Sequence, residues 1–467
     1  MTLPSLKLCN KINPKLCSVL LEVLKEIKPS DEEREYVMKF VDKITNEIRK
    51  ALVDIKIPIS VEVHGSIIHD TWLSRDRDID IFILVKEEVP KSYLKDVILK
   101  TIKDKLPYKF EKRYAEHPYL RAQIEDFYVD MVPGYYINKM ISAVDRTPKH
   151  TRFLKKHLTP ELADEVRLLK AFLKGIGAYG AEIKVGGLSG YACELLIVAF
   201  GSFINTLETF AKEKKIFIDF TKSWEEKKAF EHFRKKVILI DPVDRERNVV
   251  ANLRDETLNL IKFASKMFLS DPSKSFFNPM KRLYLDHEIE KELEKRCIIL
   301  LLLRKEKDIP PDTYWGQAIR IRNKIKNFIR KLPEVILYSI EAAESENYII
   351  LMLEVNKFSL SALKVLCGPP IWADIKDIQD FIKKHQKEAI AGPWIRNGKI
   401  VYLVRRPEKE SLLPSLLEEY IKAVRMKPSF ASFKVIHDRK EIMELVKREK
   451  IQSDFVNFII RKVPWMY

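Results

Sequence analysis

The sequence predicts an α+β protein of three parts, and three observations support this prediction. The first 147 residues alternate short apolar strands with helical segments, which is typical of a compact mixed α/β unit. Residues 148–275 show mainly helical periodicity. The remaining part, 276–467, has strands and helices in the order β-α-β-β-α-β, followed by a lysine-rich helical tail. We therefore expect three domains with boundaries at 1–147, 148–275 and 276–467.

The first part should begin with an amphipathic helix over residues 31–53. Ser30 is a suitable N-cap for it, and Glu33 is three residues further on, as a capping-box partner would be. The other elements predicted here are strands at 61–63, 78–85 and 127–132 and a helix near 91–105.

The middle part should contain a helix from about residue 161, a second helix over 191–210 and a strand at 236–240. In the last part, strands are predicted at 297–303, 335–340, 347–355 and 399–404, with a helix at 316–331 and another before the fourth strand. This order is that of a ferredoxin-like or RNA-recognition-type sheet. A fold alone does not determine function, so two alternatives remain for this sheet: a scaffold or dimerisation domain, and a domain that stacks on RNA bases.

The composition favours a polyanionic partner. The 467 residues carry a formal net charge of +17, which attracts phosphate groups of nucleic acid. No apolar stretch approaches the roughly 20 residues that span a bilayer, and residues 1–14 lack an apolar signal-peptide core. Five scattered cysteines have neither zinc-site nor disulfide-framework spacing. We expect a cytoplasmic protein without a membrane partner.

Two aspartates stand one residue apart in a strongly β-forming run. Side chains alternate along a strand, so Asp78 and Asp80 should emerge on one face while Ile79, Ile81 and Ile83 take the other. Two carboxylates on one face repel each other unless a cation lies between them. Mg²⁺ prefers oxygen ligands and binds through one or two carboxylates plus substrate phosphates, so it suits this pair.

A third acid and an upstream turn strengthen this prediction. Asp130 is the single acid in a second apolar strand, and pairing of the two strands would complete a triad that can hold two metal ions. The turn at Gly65-Ser66 precedes the first strand and can offer backbone N–H groups to a phosphate. Solvated acids at a strand edge are the alternative. Together these residues predict a metal-dependent nucleotidyl transfer site.

These motifs, in this order, resemble those of the archaeal (class I) CCA-adding enzymes, which are tRNA nucleotidyltransferases of the polymerase-β-like superfamily. The resemblance is strongest between residues 65 and 252 and looser after 405. The segments that carry it are 65–66 with 71–73 and 78–82, then 129–133, 142–151, 168–170, 177–182, 187–196, 241–249, 310–312 and 368–372.

The resemblance implies a role for each matching residue. Asp78, Asp80 and Asp130 would be the catalytic acids that hold two Mg²⁺ ions, and Arg247 would help to read the base. The residues implied in binding the rest of the nucleotide are Gly65, Ser66, His69, Thr147, His150, Lys170 and Tyr179. At the position of His69 the family usually carries a basic residue. Without the resemblance, the alternatives are a surface His150, a packing Tyr179, a solvated Lys170 and an Arg247 in a charge-rich loop.

The resemblance also implies a nucleotidyltransferase palm at the N-terminus, a helical central domain and a C-terminal region that binds tRNA. The implied activity is template-independent addition of C, C and A to the 3′ end of tRNA, with CTP and ATP as substrates and Mg²⁺ as cofactor. The acceptor arm would bind the basic surfaces, and relatives suggest a homodimer. A poly(A)-type nucleotidyltransferase and a non-catalytic RNA-binding protein are the alternatives.

Overall fold

The computed structural model describes residues 13–86, 89–114, 118–136, 143–279, 286–307, 309–424 and 429–466. They form two units, residues 1–281 with 463–467 and residues 282–462. The fold is α+β, as predicted, whereas the boundaries of the three predicted domains stay a prediction.

The first unit contains ten α-helices and eight strands within the described ranges. The helices are α1 (Pro14–Ile27), α2 (Asp31–Ala51), α3 (Lys91–Tyr93), α4 (Lys100–Lys105), α5 (Thr147–His157), α6 (Pro160–Gly175), α7 (Gly190–Phe200), α8 (Phe203–Lys212), α9 (Glu226–Phe233) and α10 (Asp255–Ser270). The strands are β1 (Ile59–His64), β2 (Asp78–Val85), β3 (Phe110–Tyr114), β4 (Pro118–Ile124), β5 (Phe127–Tyr135), β6 (Ile216–Ile218), β7 (Val237–Asp241) and β8 (Asp244–Asn248). A π-helical turn, Leu94–Leu99, joins α3 to α4.

The five-stranded sheet has the order β1-β2-β5-β4-β3. Strands β2 and β5 run parallel and the other neighbours antiparallel. The predicted alternation in β2 is confirmed, because Ile79, Ile81 and Ile83 are buried in the core of this sheet. Strands β3 and β4 were not predicted, and in β3 the polar run 111–113 lacks an alternating apolar pattern.

The predicted cap of α2 is half right. The Ser30 hydroxyl accepts a hydrogen bond from the Glu33 amide at 3.1 Å, as an N-cap does. The Glu33 carboxylate, however, accepts from the Ser74 hydroxyl, the Arg75 amide and the Arg77 guanidinium at 2.7–2.8 Å. The prediction that Glu33 completes a capping box is therefore wrong, and this carboxylate holds the loop before β2 instead.

A second core of the first unit combines α1 with α5–α8 and α10. The predicted single helix over 191–210 is wrong, because it is two helices, α7 and α8, that meet at a bend of 92°. Gly201 has a φ of +78°, which a glycine adopts without strain, and it ends α7. Ser202 then caps α8 by accepting from the Asn205 amide. The small sheet β6-β7-β8 includes the predicted strand at 236–240 and two strands that were not predicted.

The second unit has six α-helices and seven strands within its described residues. The helices are α11 (Asp286–Glu294), α12 (Pro311–Ile329), α13 (Ile375–His385), α14 (Leu413–Ala423), α15 (Arg439–Arg448) and α16 (Gln452–Ile460). The strands are β9 (Cys297–Lys305), β10 (Leu337–Glu344), β11 (Tyr348–Val355), β12 (Leu363–Pro370), β13 (Ala389–Arg396), β14 (Lys399–Arg405) and β15 (Phe430–Ile436).

The larger sheet of this unit is antiparallel, with the order β10-β11-β9-β15. This is the ferredoxin-like order, but its fourth strand is β15 and not the predicted strand at 399–404. That segment, β14, lies between β12 and β13 in a separate three-stranded sheet. The assignment was wrong because an apolar strand pattern does not show which strands pair.

The cysteines differ from each other in state. Cys193, Cys297 and Cys367 are free thiols. Cys17, in contrast, takes part in a disulfide, which the cysteine spacing did not predict.

Within the ranges that the structure describes, no single helix is long and apolar enough to cross a membrane. Helices α7 and α8 reach the required length and apolar composition only when they are counted together across their bend.

Candidate active site

A cavity of about 530 Å³ lies within the first unit, bordered by the turn after β1, the start of β2 and residues of α5, α6, α7 and β8. Of the eleven residues predicted for the site, ten line this cavity and Asp130 does not. The ten are Gly65, Ser66, His69, Asp78, Asp80, Thr147, His150, Lys170, Tyr179 and Arg247. Segments far apart in the chain therefore meet at one pocket.

The turn after β1 is shaped by Gly65. Its φ of +75° favours glycine, and a Cβ at this position would lie 2.5 Å from Oδ2 of Asp80. Any larger residue would therefore displace that carboxylate. The turn closes through a hydrogen bond from the Thr71 amide to the carbonyl of Ser66 at 2.9 Å. Gly65 thus allows Asp80 to pack directly against the backbone of the turn.

Three carboxylates follow from the pairing of β2 with β5. Asp80 is directly opposite Asp130 in the parallel register, and Asp78 begins β2 on the same face as Asp80. Burial and, to a lesser extent, the neighbouring carboxylates of Asp130 and Asp78 together raise the pKa of the Asp80 carboxyl to about 7. The cluster therefore favours a bound cation, since a cation would stabilise the ionised form of Asp80.

Arg121 on β4 supplies a positive charge to two of these acids. Its guanidinium donates to Oδ1 of Asp78 at 2.5 Å and lies 3.5 Å from Oδ2 of Asp130. Among the described residues, no three His, Cys, Asp or Glu side chains are gathered so as to hold a metal ion. The three carboxylates offer the oxygen ligands that a hard divalent cation requires. For all three to bind the same cation, however, the Arg121 guanidinium must first move away from Asp78 and Asp130.

The floor of the cavity contains a buried ion pair. Lys170 on α6 is 3% exposed and donates to both the hydroxyl and the carbonyl of Thr71, at 2.9 and 3.0 Å. Its Nζ lies 3.8 Å from the buried carboxylate of Glu194 on α7. Burial lowers the pKa of Lys170, while Glu194 opposes this shift. Lys170 is therefore a positioned cation beneath the cavity and not a solvated surface charge.

His69 is held by the same carboxylate. Its Nδ1 lies 3.2 Å from Glu194, and its Nε2 lies 3.2 Å from the hydroxyl of Thr151. Both ring nitrogens are thus engaged within the protein. The imidazole therefore lines the cavity in a fixed orientation.

A second buried acid, Asp241 at the end of β7, contacts two residues that line the cavity. Its carboxylate lies 2.9 Å from Nε2 of His150 and 2.7 Å from Nη1 of Arg247. The His150 ring stacks on Tyr191 with a centroid distance of 4.1 Å. Two residues predicted to bind the nucleotide are therefore joined by one carboxylate.

Several residues of this site were not predicted: Arg121, Tyr191, Glu194 and Asp241. Two of them had a visible signal, because Glu194 and Asp241 are single acids next to apolar runs, 195–198 and 237–240. A lone acid beside such a run is seldom buried without a partner. Arg121 and Tyr191 had no comparable signal.

Three family models match consecutive parts of the chain. Residues 45–158 match a nucleotidyltransferase domain, and residues 164–278 match the second domain of tRNA nucleotidyltransferases. Residues 295–425 match the C-terminal domain of CCA-adding enzymes.

Curated relatives match over most of their length. The CCA-adding enzyme of Saccharolobus islandicus strain M.14.25 is 35% identical over 84% of this chain and 89% of its own. That of Methanococcus maripaludis strain C7 is 36% identical over 80% of this chain and 86% of its own. Among solved structures, the Cid1 poly(U) polymerase aligns with 56% of this chain and 97% of its own at 16% identity, with a TM-score of 0.46, a weak likeness. The relatives and the family models together show that this chain belongs to the CCA-adding enzymes, a family of tRNA nucleotidyltransferases.

Proposed function

We propose that this protein adds C, C and A without a template to the 3′ end of tRNA, from CTP and ATP, with the 530 Å³ cavity as its active site. The observation that carries the proposal is the meeting of the acids on β2 with Lys170, His150 and Arg247 at one cavity. The two alternative hypotheses are a poly(A)-type enzyme and a non-catalytic RNA-binding protein. The experiment below distinguishes both of them from CCA addition.

Asp78, Asp80 and Asp130 would hold Mg²⁺, because carboxylate oxygens are the ligands that this ion prefers. When bound, Mg²⁺ lowers the pKa of an attacking hydroxyl and neutralises charge on the phosphates. The raised pKa of Asp80 supports this assignment, since an acid that resists ionisation alone is stabilised in its charged form by a cation.

The remaining residues would bind the nucleotide. The hydroxyls of Ser66 and Thr147 can donate to phosphate oxygens, and Lys170 supplies a positive charge beneath them. His150 and Tyr179 line the same cavity. The 3′ hydroxyl of tRNA would then attack the α-phosphorus of the bound nucleotide, and pyrophosphate would leave.

Arg247 is suited to the choice of base. A guanidinium carries only donors. Cytosine and adenine each present a ring nitrogen acceptor beside an amino group, whereas uracil and guanine present an N–H beside a carbonyl. Arg247 can therefore donate to the ring nitrogen of C or A and meets a competing donor in U or G.

The basic chain would hold the acceptor arm of tRNA through its phosphates. The cytoplasmic location and the homodimer stay predictions. Cell fractionation tests the first, and light scattering of the purified protein tests the second.

Incorporation of labelled nucleotides tests the proposal. A tRNA transcript that ends at the discriminator base is incubated with Mg²⁺ and with CTP, ATP or both. We expect two C additions from CTP alone and one further A when ATP is also present. Long A tails from ATP alone would identify a poly(A)-type enzyme. Tight tRNA binding without incorporation would identify a non-catalytic RNA-binding protein.

The contact of Arg121 with two acids predicts competition with the metal. We expect Arg121→Gln to tighten binding of Mn²⁺, a spectroscopic substitute for Mg²⁺, by roughly tenfold. The interaction energy of two unit charges about 4 Å apart is about 1 kcal/mol in water and about 4 kcal/mol near a protein surface. The lower part of this range suits a guanidinium that is 30% exposed. Titration followed by electron paramagnetic resonance measures the affinity.

Arg152→Gln is the matched control, because Arg152 is an exposed arginine that contacts Tyr136 and is not among the residues lining the cavity. The Arg152→Gln variant should bind Mn²⁺ with the affinity of the wild type. An Arg121→Gln variant with unchanged Mn²⁺ affinity would show that this guanidinium does not compete for the acids.

A further inference from the structure

Asp241 has no predicted role, yet its carboxylate contacts two residues that line the cavity, His150 and Arg247. It is fully buried at the end of β7. Oδ1 accepts from the Val243 amide at 3.0 Å, and Oδ2 lies 2.9 Å from Nε2 of His150 and 2.7 Å from Nη1 of Arg247. Three donors from α5, β8 and the turn after β7 thus converge on one side chain. Such convergence positions the donors precisely relative to each other.

The carboxylate determines which nitrogen of His150 carries the proton. An ionised carboxylate only accepts hydrogen bonds, so the nitrogen facing it, Nε2, must be the donor. The Tyr191 ring stacks on the imidazole and limits its rotation. Nδ1 is then the nitrogen that remains for a substrate. The negative charge of Asp241 would also stabilise an imidazolium if a triphosphate bound beside it.

The same carboxylate orients Arg247. Its guanidinium has five N–H donors in a rigid plane, and the contact through Nη1 restricts the directions in which the others point. The side chain is 37% exposed, so without this contact it would have rotational freedom toward the solvent. A hydrogen-bond donor can discriminate between bases only if its position and orientation are fixed.

We propose that Asp241 is a positioning residue of the nucleotide site, which keeps the His150 proton on Nε2 and aims the Arg247 guanidinium at the base. Its role would be indirect, through these two side chains, and its effect would fall on nucleotide affinity and base selection. The assignment of an effect on CTP and ATP rests on the proposed function, whereas the assignment of the His150 tautomer does not.

Asp241→Asn tests the proposal with a nearly isosteric change. The amide has a single accepting oxygen, so Asn cannot accept from the Val243 amide at one atom and from His150 and Arg247 at the other. It also lacks the negative charge that pairs with Arg247. We expect the KM for CTP and ATP to rise by roughly tenfold or more, because a hydrogen bond to a charged group is lost. Discrimination against UTP should fall by a similar factor, roughly tenfold. The KM for tRNA should not change.

A double-mutant cycle separates positioning from general damage to the fold. If Asp241 acts through Arg247, the effect of Asp241→Asn on base discrimination should largely disappear in an Arg247→Ala background. An undiminished effect in that background would contradict positioning of Arg247, as would unchanged discrimination in Asp241→Asn itself.

A tautomer measurement decides the His150 part even if Asp241→Asn does not fold. Two-bond ¹H–¹⁵N correlation spectra of histidine-labelled protein distinguish Nε2–H from Nδ1–H, and the signal that disappears in His150→Gln identifies the residue among the nine histidines. We expect Nε2–H in the wild type. Nδ1–H would overturn the proposal. If the wild type adds no C or A to tRNA, the proposed function fails, but this spectrum still decides the tautomer.

Discussion

Replacement of Asp80 by asparagine is expected to reduce nucleotide addition by roughly 10³-fold or more. An amide has nearly the volume of a carboxylate but lacks the negative charge that a divalent cation binds. Metal stabilisation of transition-state charge is worth several kcal/mol, and about 1.4 kcal/mol changes a rate tenfold. Single-turnover incorporation of labelled CTP into a tRNA that lacks its CCA end measures the effect. Affinity for tRNA, measured by filter binding, should be unchanged.

Asp54→Asn is the control, since Asp54 is an exposed acid that pairs with Lys105 at the surface and is not among the residues lining the cavity. It should add nucleotides at the wild-type rate. More than about a tenth of the wild-type rate in Asp80→Asn would contradict the catalytic role, because the loss would then be below about 1.4 kcal/mol.

The stability of the metal-free protein gives an independent check that Asp80→Asn is folded. Burial and the neighbouring carboxylates of Asp130 and Asp78 raise the pKa of Asp80 to about 7, so the folded state binds more protons than the unfolded state between the ordinary pKa of an aspartate and about pH 7. Stability therefore falls as pH rises through this range. Asparagine does not ionise, so the variant should unfold at a higher temperature than the wild type near pH 8 and lose that advantage near pH 4.

The largest expected effect on stability is at Arg167 on α6, which is 1% exposed. Its guanidinium donates to the Trp72 carbonyl at 3.0 Å and to Oδ1 of Asp70 at 2.7 Å, and it also pairs with Asp164. Arg167→Met would leave these acceptors without that donor. Breaking a buried ion pair costs about 3–5 kcal/mol. We expect the lower end, about 3 kcal/mol.

The lower end is expected because both acids keep a second cation. Asp164 also pairs with Lys28, and Asp70 also pairs with Arg34. A loss of about 3 kcal/mol corresponds to a decrease in Tm of roughly 10 °C for a domain of this size, which calorimetry resolves. Arg245→Met is the matched control, because that side chain is 74% exposed. Equal Tm values for the two variants would contradict a stabilising role of Arg167.

Local patterns predicted much of the fold. The alternation in β2 and the N-cap at Ser30 were correctly predicted because both depend on neighbours within a few residues. The break at Gly201 was also local, but the continuous apolar run across it concealed the glycine signal. The pairing of β15, and not β14, with β9 had no local signal.

The candidate site likewise has some features with a local sequence signal and others without one. The residue types at 65–66, 78–80 and 130 predicted an acid cluster beside a phosphate-binding turn, and the family resemblance added the nucleotide contacts. Neither indicated that Arg121 would contact Asp78 and Asp130, nor that Asp241 would join His150 to Arg247. These contacts depend on how separate segments pack.

The sequence by itself thus determined the α+β class, the acids on one face of β2 and the family to which the chain belongs. The tertiary structure alone decided which strands pair, and it alone showed that Arg167 and Lys170 of α6 are buried and not solvated. The physical reason is that periodicity and capping arise between near neighbours, whereas the burial of a charge depends on partners from distant segments. For Lys170 that partner is Thr71, 99 residues away.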